Sequence, residues 1–126
     1  MDMEIVFPGG ARVDALVGPH TVVTNQDGSA PTPLSLFLAS IGTCAGIYVL
    51  GFCQARDLPT EGIKIVQRVI ADPNTRMVAT IQLDIVVPPT FPEKYHEALV
   101  RAADQCAVKK HLENPPEFEV RTRVQG

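Results

Sequence analysis

Three cysteines, Cys44, Cys53 and Cys106, are the side chains of this sequence best suited to covalent chemistry. A thiolate is a nucleophile, and on oxidation it passes through a sulfenic acid to a disulfide. Two of the three lie in the uncharged stretch LASIGTCAGIYVLGFCQ, Leu38 to Gln54. On a continuous helix Cys44 and Cys53 are about 13.5 Å apart along the axis and on opposite faces, whereas a disulfide needs Cα atoms within about 7 Å. They do not bridge each other, so an intrachain bridge uses Cys106, with either Cys44 or Cys53 as its partner. Cys44 shares a helix face with Phe37, Ser40, Ile41, Ile47 and Tyr48, while Cys53 comes late, beside Phe52, and reads as a buried, inert thiol. Cys106 closes an apolar stripe and is followed by Lys109, Lys110 and His111, which favour a thiolate where they face it and otherwise form a solvated surface. His20, His96, His111 and the cysteines show no C-x-x-C or H-x-x-x-H spacing, so no metal and no other cofactor is expected.

The elements that must position these thiols follow from the hydrophobic pattern. Glu4 to Phe7, Ala11 to Val17 and His20 to Thr24 are short Val-rich runs separated by PGG and GP turns, a meander of antiparallel strands. NQDGSAPTP is a loop in which Thr32 stands at an N-cap position and Pro33 at the first helical position. The helix that follows runs to about Arg56 or Asp57. Ile63 to Ala71 and Met77 to Val87 form a hairpin through DPNT. From Pro92 the residues Tyr95, Ala98, Leu99, Ala102, Ala103 and Cys106 make one stripe of an amphipathic helix with Cys106 at its end. A turn through AVKKHLEN and a last strand, Phe118 to Val124, complete an α+β order.

The central helix raises the question of a membrane. Leu34 to Cys53 is mostly apolar and long enough for a bilayer, and Gly42 and Gly46 form a G-x-x-x-G pair. Pro31, Thr32, Pro33, Ser35, Ser40, Thr43 and three glycines dilute it, and the patterned segments on both sides need a core, so a helix apolar all round and enclosed by other structure is the better reading. One chain of this length has too little material to enclose it, which predicts a homodimer.

The totals agree with a single domain, residues 1–126: the chain has 126 residues, 45% hydrophobic and 20% charged, as in a globular protein. A net charge of -3 offers no basic field for nucleic acid. Three cysteines are no disulfide scaffold, and MDMEIVFPGG has acidic residues where a secretion signal is basic, so a cytoplasmic protein is expected.

PLSLFLASIGTCAGIYV, then EGIKIVQRV, then, about sixty residues after the first cysteine, ADQCAVKKHLENPPEFEV, resemble the OsmC/Ohr family, the osmotically inducible protein C and organic hydroperoxide resistance proteins. The resemblance covers nearly the whole chain. It implies antiparallel strands packed on long central helices in an intertwined homodimer with active sites at the interface. It also implies a thiol-dependent peroxidase acting on organic hydroperoxides in oxidative-stress defence, an antioxidant role. Cys44 would become the sulfenic acid, Cys106 would resolve it as a disulfide, Arg12 would supply the cation for the thiolate, and an external dithiol, lipoyl or similar, would be the reductant. Two departures stand out. Family members commonly carry a glutamate after the helix-opening proline to hold that arginine, whereas this chain has Leu34, so Arg12 is expected to lack a carboxylate partner and to sample solvent. The second cysteine is usually followed by proline, with histidine two residues beyond, where this chain has Ala107, Val108 and Lys109. The alternative is a non-catalytic member of the fold that binds a small molecule or senses redox state.

Overall fold

The computed structural model describes all 126 residues, which form two compact units, residues 1–40 and 41–126.

In the first unit, β1 (Glu4–Gly9), β2 (Arg12–Val17) and β3 (His20–Asn25) make an antiparallel meander in that order. Its turns sit at Gly10 and Gly18, with φ of 59° and 56°, a left-handed backbone that costs glycine little. Register pairs Arg12 with Asn25 and Val6 with Asp14, so the polar Asp14 falls inside the sheet. The loop after β3 is closed by side chains: Asn25 Oδ1 accepts the Asp27 N–H, and Asp27 Oδ1 accepts the Ser29 N–H. The long helix α1 (Pro33–Ala55) begins here, with Thr32 Oγ1 accepting the Ser35 N–H at 3.2 Å as its cap.

The second unit holds the rest of α1, the hairpin of β4 (Lys64–Ala71) and β5 (Val78–Val86), α2 (His96–Ala103) and α3 (Ala107–Glu113). Asp72 Oδ1 closes the hairpin turn by accepting the Asn74 and Thr75 N–H groups. Ala45, Val49, Phe52 and Cys53, at i, i+4, i+7 and i+8 of α1, bury one stripe against Phe91, Leu99 and Ala103. Ile65 of β4 and Leu83 and Ile85 of β5 pack on the same cluster, as the alternation of the hairpin requires. By length and composition α1 is apolar enough to cross a membrane, and only 28% of its most apolar window is buried within the chain. Ile47 remains 65% exposed, with Leu34 and Leu50 also exposed, so this chain alone does not enclose the helix.

Three boundaries differ from those the sequence pattern predicts. The stripe from Tyr95 to Ala103 packs as expected, but its helix opens with a 3-10 turn over Glu93–Tyr95 and stops at Ala103. Cys106 therefore lies beyond α2, in a non-helical conformation (φ -46°, ψ 120°) that no helix continues through. AVKKHLE is a helix rather than a turn, because Cys106 caps it. Phe118 to Val124 alternates like a strand yet forms none: no segment of the chain pairs with it, and its apolar side chains stay in solvent, Phe118 at 86% exposure. A strand exists only with a hydrogen-bonded neighbour, which alternation alone does not supply.

Candidate active site

Cys44 sits on α1, half-buried, one turn of residues beyond Ile41. Cys106, 2% exposed, is the N-cap of α3. An N-cap residue leaves the helical conformation and offers a side-chain acceptor to the orphan N–H groups of the first turn. Here that acceptor is sulfur: Cys106 Sγ takes the Lys109 N–H at 3.4 Å. The Cys106 thiol in turn donates toward the Ile41 carbonyl oxygen at 3.8 Å, which ties the start of α3 to α1. Lys109 Nζ pairs with Asp104, bracketing the bend that carries Cys106.

In the first turn of α3, the backbone N–H groups of Val108 and Ala107 interact with Cys44. They stabilise its thiolate and hold its pKa below the ordinary thiol value. The Val108 N–H has the largest effect, burial opposes it, and the Cys106 thiol, whose one proton is shared between the Ile41 carbonyl oxygen and this sulfur, adds a smaller effect. Cys106 moves the other way. Burial pushes its pKa up, the Lys109 N–H works against that, and the neighbouring Cys44 sulfur raises it further. The two thiols are thus shifted in opposite directions, Cys44 toward the more acidic and Cys106 toward the less acidic member of the pair. Cys53 belongs to the core cluster, where burial raises its pKa and Arg56 only partly offsets the effect.

Beside the pair, a cavity of about 680 Å³ is walled by Ile41 of α1, Ile81 and Leu83 of β5, Ala103 of α2 and Leu112 of α3, with Cys106, Asp84, Asp104 and Lys109 in its lining. No three His, Cys, Asp or Glu side chains converge as metal ligands would.

Arg12 lies in the first unit and is not free. Its Nε donates to Asp14 Oδ1 at 2.9 Å and its Nη2 to Asp14 Oδ2 at 2.7 Å, a two-pronged pair on a carboxylate residue only 3% exposed. These bonds hold the Asp14 carboxyl below the usual carboxylate range. The expectation that Arg12 lacks a carboxylate partner is corrected accordingly. Leu34 supplies none, but R-x-D on one strand puts both side chains on the same face, a signal present in the sequence two residues from Arg12. The backbone donors of Ala107 and Val108 were less legible, since no side-chain type announces them.

The family model for OsmC-like protein matches residues 26–121, a span that contains all three cysteines and begins after Arg12 and Asp14. The chain belongs to the OsmC-like family. Solved structures share this OsmC-like fold at low identity. A proposed osmotic stress induced and detoxification response protein from Psychrobacter arcticus is 16% identical, with 86% of this chain and 85% of that one covered and a TM-score of 0.72. An OsmC like protein from Mycoplasma pneumoniae is 12% identical, with 90% and 87% covered and a TM-score of 0.64. The organic hydroperoxide resistance protein OhrB of Bacillus subtilis is 14% identical, with 90% and 93% covered and a TM-score of 0.50. At such identities the likeness speaks for the α+β fold. No curated protein matches the chain by sequence.

Proposed function

We propose that this OsmC-like protein is a thiol-dependent peroxidase that reduces organic hydroperoxides in peroxide-stress defence, with Cys44 as the reacting thiol and Cys106 as the resolving one. The observation that carries the reading is the pair of hydrogen-bonded thiols whose pKa values are pushed apart by the α3 N–H groups on one side and by burial on the other. The Cys44 thiolate attacks the terminal oxygen of the hydroperoxide, the O–O bond breaks, and the alkoxide takes a proton and leaves as an alcohol. Cys44 is left as the sulfenic acid. Cys106 sulfur then attacks that sulfur, water leaves, and a Cys44–Cys106 disulfide remains for an external dithiol to reduce. The family resemblance assigns Arg12 to the thiolate as well, and Asp14 fixes the guanidinium whose charge that role would use.

One equivalent of cumene hydroperoxide added to the reduced protein is expected to consume two thiols and give a Cys44–Cys106 peptide on mapping. Cys106→Ser should stop at a sulfenic acid on Cys44 that dimedone captures. A bridge containing Cys53, or thiols that survive the peroxide, would overturn the assignment. The cavity supports the second reading, a binding or redox-sensing protein, which unreactive thiols together with uptake of a lipophilic dye would select.

The proposal includes self-association. Ile47, Leu50 and Leu34 on α1 and Phe118, Val120 and Val124 in the tail are apolar and uncovered, more than an isolated chain normally leaves in water. Sedimentation equilibrium at micromolar concentration is expected to give twice the chain mass, and a monodisperse monomer would refute it. A cytoplasmic setting, also proposed, keeps the dithiol form replenished.

A further inference from the structure

The 680 Å³ cavity reaches one thiol of the pair and not the other: Cys106 contributes to its wall, Cys44 does not. Cys44, a half-buried residue of α1, is not part of that lining. The two thiols therefore have different surroundings.

We propose that the reductant enters through this cavity and attacks Cys106 Sγ of the Cys44–Cys106 disulfide, so that Cys44 leaves as the thiolate and the transient mixed disulfide sits on Cys106. The inference rests on the disulfide of the peroxidase reading and adds which sulfur is attacked, by what and from where. In the first step a reductant thiolate forms a bond to Cys106 Sγ, the Cys44–Cys106 bond breaks, and its electron pair goes to Cys44 Sγ. In the second step the other thiol of the same reductant, deprotonated, attacks the sulfur bound to Cys106. The reductant leaves as a cyclic disulfide, and Cys106 sulfur takes up a proton. Two electrons pass from the dithiol to the protein disulfide.

Leaving-group chemistry and geometry agree. In thiol–disulfide exchange the thiol of lower pKa leaves faster. Expelled Cys44 sulfur is received by the Val108 and Ala107 N–H groups, aimed at it from the first turn of α3. Expelling Cys106 instead would place a charge on the sulfur that burial most disfavours as an anion. The cavity also states the chemical class of the reductant. Its walls are mostly aliphatic, and its three charged residues are all paired, Lys109 with Asp104 and Asp84 with Arg68 at 3.6 Å. An uncharged, lipophilic dithiol fits such a lining.

The test begins with the disulfide formed by diamide, which does not depend on peroxidase activity. Reaction with benzyl mercaptan, rapid acid quench, alkylation with N-ethylmaleimide and peptide mapping are expected to show the benzylthio group on Cys106 and the maleimide on Cys44. Val100, 60% exposed at the cavity lining, carries no role in the chemistry. Val100→Trp should slow reduction of the disulfide by benzyl mercaptan several-fold while leaving its formation by cumene hydroperoxide unchanged. A benzylthio group first found on Cys44, or reduction indifferent to Val100→Trp, overturns the proposal. If diamide makes the disulfide and the hydroperoxide does not, the peroxidase reading fails while the site of attack is still measured. If neither oxidant makes it, both fall.

Discussion

Val108→Pro is expected to move the pH profile of Cys44 alkylation toward the ordinary thiol range and to cut its reactivity at neutral pH roughly tenfold, the worth of one hydrogen bond to a charged group at about 1.5–3 kcal/mol. Proline removes the N–H that contributes most to lowering the Cys44 pKa. The substitution falls at the second position of α3, where that N–H makes no intrahelical bond; the first such bond runs from Lys110 N–H to the Cys106 carbonyl. The cost to the helix is confined to Ala107, which a following proline disfavours in the helical conformation. Ala107→Pro is the companion variant. Its preceding residue, Cys106, already has ψ of 120°, which suits proline next, and the Ala107 N–H is the smallest of the hydrogen bonds that lower the Cys44 pKa. The shift should be in the same direction and smaller. The direction is fixed by which form the N–H groups favour: they stabilise the thiolate, so losing them raises the pH at which half of Cys44 is ionised. A profile unmoved in both variants would show that α3 does not activate this cysteine. Arg12→Ala in the same assay measures what its charge adds.

The division between what was legible in the sequence and what was not follows the range of each interaction. The strands, the hairpin and α1 are repeats of local pattern, so Val-rich runs, turn residues and the Thr32–Pro33 cap located them to within a few residues. The stripe Tyr95 to Ala103 was equally local. What failed was termination. Nothing in ADQCAV says that Cys106 leaves the helical conformation, because a cysteine N-cap is an outcome of its bonds to Lys109 and Ile41, the second of which is 65 positions away in the chain. The tail failed for the opposite reason. Phe118, Val120 and Val124 satisfy the alternation rule perfectly well, but a ladder needs a partner that a sequence pattern does not name. At the site, cysteine spacing excluded a Cys44–Cys53 bridge and left two options for Cys106. The fold then places Cys44, not Cys53, against Cys106, while Cys53 packs beside Phe52 in the core. Arg12 finds its carboxylate two positions along its own strand, at Asp14, and not at position 34, where this chain has a leucine.

The site is held by a core that can be weakened without touching its chemistry. Leu99, 2% exposed, belongs to one buried cluster with Ala45, Val49, Phe52, Cys53, Phe91 and Ala103, to which α1, α2 and the segment before α2 all contribute. Leu99→Ala removes its outer carbon atoms and leaves a cavity that the surrounding helices fill only in part, a change that costs about 2–5 kcal/mol. The urea midpoint is expected to fall accordingly, with an unchanged slope. Ala103, the last residue of α2, belongs to that cluster, and Cys106 follows it by three positions, so the loss is expected to be felt first as looser seating of α2 beneath the bend. The groups that set the Cys44 pKa are different ones, the N–H groups of α3 and the Cys106 thiol. In the folded variant the alkylation profile of Cys44 should therefore keep its wild-type inflection while stability drops. Measured together, the two substitutions separate: Val108→Pro changes the profile far more than the midpoint, and Leu99→Ala changes the midpoint far more than the profile. Should Leu99→Ala shift both in proportion, the low thiol pKa would be a property of how firmly α1 and α2 are packed, and the α3 N–H groups would not be its cause.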